Sequence, residues 1–317
     1  MKNLFVKDIV KDAEVNDYFI VVKKGTYLSK NNTKYMSLRL KDRTGSIEGR
    51  VWERVDELGA TFERNDIVFI ESKARPYQNA LQLNVTNIRK VEQAVSVDEL
   101  RELYPESGVS HESLQESFLE LVSGLKDPHL KALFAELQKR KELLDRFFFV
   151  PASIGVHHVH IGGLLEHSVN LARMAKEIAR FTGTDEDLLV AGSLLHDVGK
   201  VREITLKGGF AYSDEGRLLG HITLGIMLCD MLVAGIPEFP VYLGDILKHI
   251  ILSHHGEAEW GSPKRPMCLE ALVIHYLDNL DARVVGVKEH MNENMEDETW
   301  TAYHKLFEAR FYKLPER

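Results

Sequence analysis

The first ninety residues alternate apolar and polar positions in short runs, and the chain then changes to a helical period. In "DYFIVVKKGTYLS", "KYMSLRLKD", "SIEGRVW", "DIVFIESKARPY" and "ALQLNVTNIRKV", β-branched and aromatic residues recur with partial period-two spacing, which predicts five short strands. Turn signals separate them at Asn31-Asn32, Asp42-Arg43-Thr44-Gly45 and Arg64-Asn65-Asp66. Helical spacing occurs here only around Val55 to Phe62. Five strands in this length fit a small barrel.

Further along, Leu114, Phe118 and Leu121 share one helical face with Ser110 as N-cap, and Asp127-Pro128 opens a second helix striped by Leu130, Leu133, Phe134 and Leu137. Beyond residue 148 the chain reads as helical throughout. The segments are "GGLLEHSVNLARMAKEIARF", "DEDLLVAGSLLHDVGK", "GHITLGIMLCDMLVAG", "VYLGDILKHIILSHHG" and "CLEALVIHYLDNLDARVVGV". The predicted organisation is multidomain α+β: a five-stranded barrel over 1–92, a helical connector over 93–147 and an all-helical domain over 148–317.

Histidine and aspartate recur on the apolar sides of those helices. His167 shares a face with Leu171, Met174 and Ile178; His196 and Asp197 close the next helix; His221 begins another beside Leu224 and Leu228. His254 follows Ile250 and Ile251, and Asp278 lies on the face of Ala271 and Ile274. A single histidine so placed reads as a core residue with a hydrogen-bond partner. A buried aspartate does not, because an unpaired carboxylate costs several kcal/mol to desolvate. Five helices that each bring such a group inward point to a shared metal centre. Imidazole and carboxylate without thiolate suit Mn, Fe, Co, Ni or Zn rather than Ca. More than four candidate ligands suggests two ions, an arrangement suited to in-line phosphoester hydrolysis.

Composition refines this picture. Of 317 residues, 44% are hydrophobic and 28% charged, as in soluble globular proteins. No apolar run approaches the roughly 20 residues of a bilayer span, and "MKNLFVKDIVKDAE" lacks a signal-peptide core, so no membrane association is expected. Cys229 and Cys268 form no disulfide framework, which fits a reduced, cytoplasmic protein. The net charge of −8 hides an asymmetry: residues 1–91 hold 17 Lys+Arg against 12 Asp+Glu, the remainder 23 against 36. The two parts are thus expected to meet different partners.

The ordered series His167, His196-Asp197, His221, His254, Asp278, with "LLEHS", "LLHDVGK" and "YLDNLDA" around it, resembles the signature of the HD-domain metal-dependent phosphohydrolases. That resemblance implies one metal held by His167, His196, Asp197 and Asp278, and a second served by His221 and His254 or His255, with Asp197 as bridge. It leaves His255 as a second ligand or a phosphate contact, Lys200 as a neutraliser of phosphate, and Asp281 as an orienting partner. Outside the signature, His157 and His158 are candidate substrate contacts, and Lys264 and Arg265 a candidate anion-binding lid.

"YMSLRLKDRTGSIEGRVW" resembles the central hairpin of an OB-fold, which binds single strands with a basic groove and aromatic platforms. Arg39, Lys41, Arg50, Tyr35, Trp52 and Tyr77 are the candidates for that face. The order of parts, with "HHVHIGGLLEHS" and "LSHHGE…GSP…LEA…LDNLDAR", resembles the YhaM-type bacterial 3′→5′ exoribonucleases over nearly the whole chain. The resemblance implies Mn2+-dependent degradation of single-stranded RNA, and of single-stranded DNA, to 5′-mononucleotides, by a homo-oligomer. Two rivals remain: an HD-type nucleotide or cyclic-nucleotide phosphohydrolase, and a non-enzymatic OB-fold nucleic-acid-binding protein.

Overall fold

The computed structural model describes residues 2–78, 80–92, 96–105, 107–154, 160–206, 209–293, 297 and 299–315. The alternating N-terminal runs become β1 (Glu14–Leu28), β2 (Lys34–Asp42), β3 (Gly45–Val51), β4 (Ile67–Tyr77) and β5 (Ala80–Lys90), with α1 (Val55–Gly59) between β3 and β4. They close into a barrel in the order β1-β2-β3-β5-β4. This is the OB-fold expected from the sequence. Met36, Leu38 and Leu40 of β2, Ile47 and Val51 of β3, and Ile70 and Leu83 fill its interior. Period two therefore leaves Tyr35, Ser37 and Arg39 facing outward beside Glu48 and Arg50.

A register shift between Val21 and Lys23 changes which residues of β1 face out, setting Lys23 opposite Arg39, Gly25 opposite Ser37 and Tyr27 opposite Tyr35. The strand ends are tied by the N-terminal segment. Lys2 Nζ, fully buried, donates to Tyr18 O at 2.7 Å and pairs with Asp42 at 3.2 Å.

Helices α2 (Val97–Leu103), α3 (His111–Gly124), α4 (Pro128–Lys139) and α5 (Lys141–Phe149) follow. The predicted caps are present: Ser110 accepts from Ser113 N at 3.1 Å, and Asp127 from His129 N and Leu130 N, with Pro128 opening α4. Then come α6 (Gly163–Thr182), α7 (Glu186–Leu195), α8 (Lys200–Glu203), the hairpin β6 (Ile204–Leu206) and β7 (Phe210–Tyr212), α9 (Asp214–Ala234), α10 (Val241–Ser253) and α11 (Leu269–Glu293). Leu171, Ala175, Leu189, Ile250, Ala271 and Ile274 from α6, α7, α10 and α11 form a buried cluster. Each large aliphatic there contributes about 1.5–3 kcal/mol by burial, enough together to hold a polar site rigid beside it.

The hairpin departs from the all-helical expectation for 148–317. Its β-branched and aromatic residues favour extended backbone, and Phe210 is buried against the Tyr104 ring, centroids 4.6 Å apart. Two units emerge by contact: one comprises Met1–Gly108, Val159–Ile161 and Ile204–Asp214, the other Val109–His158, Gly162–Glu203 and Glu215–Arg317. Among the described residues α9 alone is long and apolar enough for a bilayer, with mean hydropathy 1.5, which the sequence reading did not anticipate. Gly220 breaks it (φ 71°, ψ 157°), and Leu224, Leu228 and Leu232 are buried in the helical unit.

Candidate metal centre

Five helices supply the site. His167 sits in the second turn of α6; His196 caps α7; His221 follows the Gly220 break; His254 caps α10; Asp278 lies within α11. After Leu195 the chain tightens: Val198 N bonds Leu195 O and Lys200 N bonds Asp197 O, both at 3.0 Å. This turn lets His196 and Asp197 serve different sides of one site, although adjacent on the chain. Gly199 permits the approach, since a Cβ there would stand 1.9 Å from His221 O and 2.5 Å from Gly225 N.

Two groups of donor atoms meet at Asp197. On one side His167 Nε2 lies 3.2 Å from both His196 Nε2 and Asp278 Oδ1, and Asp197 Oδ2 is 3.4 Å from His196 Nε2. On the other, Asp197 Oδ1 is 3.4 Å from His221 Nε2 and 3.5 Å from His254 Nε2. His255 joins His221 and His254 in a three-histidine group. The resemblance named these residues, and the fold brings all of them together.

Each imidazole is oriented from behind through Nδ1. The partners are Asp281 Oδ2 for His167 (2.7 Å), Ser193 O for His196 (2.8 Å), Glu203 Oε1 for His221 (3.2 Å), Ile251 O for His254 (2.8 Å) and Trp260 O for His255 (2.7 Å). An Nδ1–H donated to oxygen leaves Nε2 turned into the site, the arrangement metal-ligating histidines use.

Charge follows from these contacts. Burial alone would lower the His167 pKa, but hydrogen bonds to Asp278 and Asp281 outweigh it and push the value up to about 10. Burial would raise Asp278, yet His167 and the neighbouring histidines hold it below the usual carboxylate range. Burial would likewise raise Asp197, and Lys200 and His196 hold it well below. Burial drives His254 down to about 4, and burial with His221 lowers His255.

The donor set fits a cation on one observation above all. Asp197 Oδ1, His221 Nε2 and His254 Nε2 are buried without a hydrogen-bond partner, though the carboxylate oxygen lies within 3.5 Å of each imidazole nitrogen. Converging lone pairs repel, and a divalent ion is what removes that penalty.

The remaining predicted residues divide. Lys200 is half-buried, and its Nζ donates to Asp197 Oδ2 at 2.5 Å. Arg265 is exposed and paired with Glu257 at 3.0 Å, and Lys264 is exposed in the same loop. His157 and His158 lie outside the described residues.

On the barrel, Trp52 stacks on Tyr35 (4.9 Å, 28°), Tyr35 meets Tyr27 at 5.9 Å, and Trp52 and Tyr27 are about half exposed. Arg39 pairs with Glu48 at 3.3 Å and, with Lys23, Lys24, Arg64 and one carboxylate, Glu63, lines a hollow of about 640 Å³. Lys41 is half-buried opposite Ser46, and Tyr77 is exposed at the end of β4. The sequence reading missed Tyr27, Glu203 and His275, whose Nδ1 donates to His254 O at 2.8 Å.

An OB barrel with a helical histidine-aspartate centre defines a hydrolase of the HD class that also carries a nucleic-acid-binding domain. Two family models match accordingly: "HD domain" over residues 164–283 and "OB-fold nucleic acid binding domain" over 19–91. Similar relatives include proteins named 3′-5′ exoribonuclease YhaM from Bacillus velezensis and Bacillus subtilis, each 33% identical over 95% of this chain and 95% of theirs. One from a Geobacillus strain is 32% identical over 95% of this chain and 92% of its own. The chain belongs to the YhaM family.

Proposed function

We propose that this protein hydrolyses single-stranded RNA from its 3′ end to 5′-mononucleotides, with single-stranded DNA as a second substrate. The hydrolytic reading is carried by the three unpartnered atoms that converge beside Asp197. The choice of RNA is supported by the relatives' names and by the outward face of β1, β2 and β3.

His167, His196, Asp197 and Asp278 would hold one divalent ion; Asp197, His221, His254 and His255 a second. Mn2+ is the first candidate, with Fe, Co, Ni and Zn behind it, given nitrogen and oxygen donors without thiolate. Such ions, when bound, make water a nucleophile near neutral pH and offset charge on the scissile phosphate. Lys200, by holding Asp197 Oδ2, keeps Oδ1 turned toward His221 and His254. Its ammonium also adds positive charge beside the arriving phosphate. His255, half-buried and kept neutral by burial, can accept a proton or contact phosphate at the mouth of the site. Asp281 and Glu203 hold the orientations of His167 and His221.

The barrel would hold the strand upstream. Tyr27, Tyr35 and Trp52 offer rings for base stacking, and the hollow with Lys23, Arg39 and Arg64 suits phosphates a few residues away on the same face. Lys23 stands directly opposite Arg39, so two cations lie side by side on this face. Lys41 and Tyr77 would extend the track. The two unpaired thiols fit a reducing, cytoplasmic setting.

The test is a 5′-labelled single-stranded RNA incubated with purified protein and Mn2+. A ladder that shortens from the 3′ end is expected. No ladder with any divalent metal, alongside turnover of free or cyclic nucleotides, would replace this reading with that of a small-substrate phosphohydrolase.

A further inference from the structure

We infer that Glu203 is the positioning residue that sets the affinity of the second ion, the one facing His221, His254 and Asp197 Oδ1. The inference rests on the two-ion reading above. The two halves of the site differ in charge. The first has a carboxylate of its own, Asp278, and a second, Asp281, behind His167 at 2.7 Å. The second has three imidazoles and only a share of Asp197. Its one private negative charge among the described contacts is Glu203, buried at the end of α8, with Oε1 3.2 Å from His221 Nδ1.

A carboxylate behind an imidazole fixes the tautomer that points Nε2 inward and makes that nitrogen a better donor. The two other histidines of this half lean on backbone carbonyls, Ile251 O and Trp260 O, which are neutral. Glu203 Oε1 also accepts the backbone N–H of His221 at 3.0 Å, so one oxygen sets both the backbone and the ring of this ligand. The Gly220 break puts that N–H within reach, because an unbroken helix would commit it to the carbonyl four residues earlier. Glu203 itself is confined: a Cβ on Gly216 would stand 2.5 Å from Glu203 O and 2.9 Å from Cγ.

Glu203→Gln separates charge from packing, because the amide oxygen can still accept both N–H groups while the negative charge is gone. Full-length metal-free protein is titrated with Mn2+ and the free ion followed by electron paramagnetic resonance, without RNA. The wild type should bind two ions in two steps. E203Q should weaken the second step ten- to hundredfold and leave the first in place. E203D, which keeps the charge one methylene further back, should fall between, and decides the matter should E203Q not fold. An E203Q or E203D isotherm that coincides with the wild type overturns the inference. So does equal weakening of both steps, which is what loosened packing would give. A wild type that binds one ion removes the second-ion reading itself. A normal pair of steps with no RNA ladder removes the exoribonuclease reading and leaves the role of Glu203 standing.

Discussion

Replacing Gly199 by alanine puts one methyl group where the HD turn meets α9. The added Cβ would lie 1.9 Å from His221 O, 2.5 Å from Gly225 N and 2.8 Å from His221 C, all backbone atoms that no rotamer change can move aside. Real Cβ contacts essentially never fall under 3.0 Å, so the turn and α9 must part by at least about 1 Å. The turn carries Asp197 and α9 carries His221, now 3.4 Å apart. Metal–ligand distances tolerate only about 0.2 Å. The separation therefore opens the second ion's half of the site, while His167, His196 and Asp278 stay in reach of one another. Overpacking of this kind costs about 1–3 kcal/mol, or about 2–4 °C of melting temperature per kcal/mol for a unit of this size. The expected result is a folded protein that melts several degrees lower, binds one Mn2+ tightly, and has lost on the order of a hundredfold or more in hydrolysis. Calorimetry, Mn2+ titration and an RNA digest measure the three effects. A G199A protein with both ions and full activity would refute the reasoning.

Two more outcomes follow from the same contacts. His167 sits at about 10 against 6.5 in an exposed histidine, so in EDTA-treated protein its contribution is fully present below 6.5 and lost as pH rises through 10. Asp278 is shifted the other way, so its share is present above 3.8 and lost as pH falls. Urea midpoints should accordingly fall between pH 7 and pH 9.5 in the wild type and stay flatter in His167→Gln; equal slopes would exclude the assignment. Trp52→Ala should weaken single-stranded RNA binding by about 1–3 kcal/mol, roughly 5- to 150-fold. Nucleotide hydrolysis and the melting temperature should hardly change, because the ring is about half exposed. Fluorescence anisotropy with a short labelled RNA reads this directly.

Much of the site was legible because its ligands stand on strongly periodic helices. A histidine among Leu171, Met174 and Ile178 can point only inward, and Asp278 shares the face of Ala271 and Ile274 for the same reason. Asp281, one turn beyond Asp278, was equally readable. Glu203 was not: it lies where α8 gives way to β6, and its role depends on the approach of Gly216 and the break at Gly220, neither of which a period reports. Tyr27 escaped because the shift between Val21 and Lys23 reverses the side on which odd-numbered residues of β1 emerge. Counted on from buried Phe19, Tyr27 would have fallen in the core. Lys200 was read by type rather than by partner, and its closeness to Asp197 could not be had from spacing alone.

The β6–β7 hairpin bears on how this protein can be taken apart. Although it follows α8 in the chain, its partners are Tyr104, whose hydroxyl accepts Phe210 N–H at 3.0 Å, and Asn65, whose carbonyl a Cβ on Gly209 would meet at 2.8 Å. The barrel unit is thus discontinuous in sequence, assembled from pieces that the gene keeps a hundred codons apart. A protease cut in the stretch after β5 would nick such a unit without freeing it. A shortened gene that starts after residue 91 would leave the hairpin without Asn65 and with its apolar residues looking for company. A clean helical half therefore calls for two edits: removal of the barrel strands, and a short polar turn in place of residues 204–212.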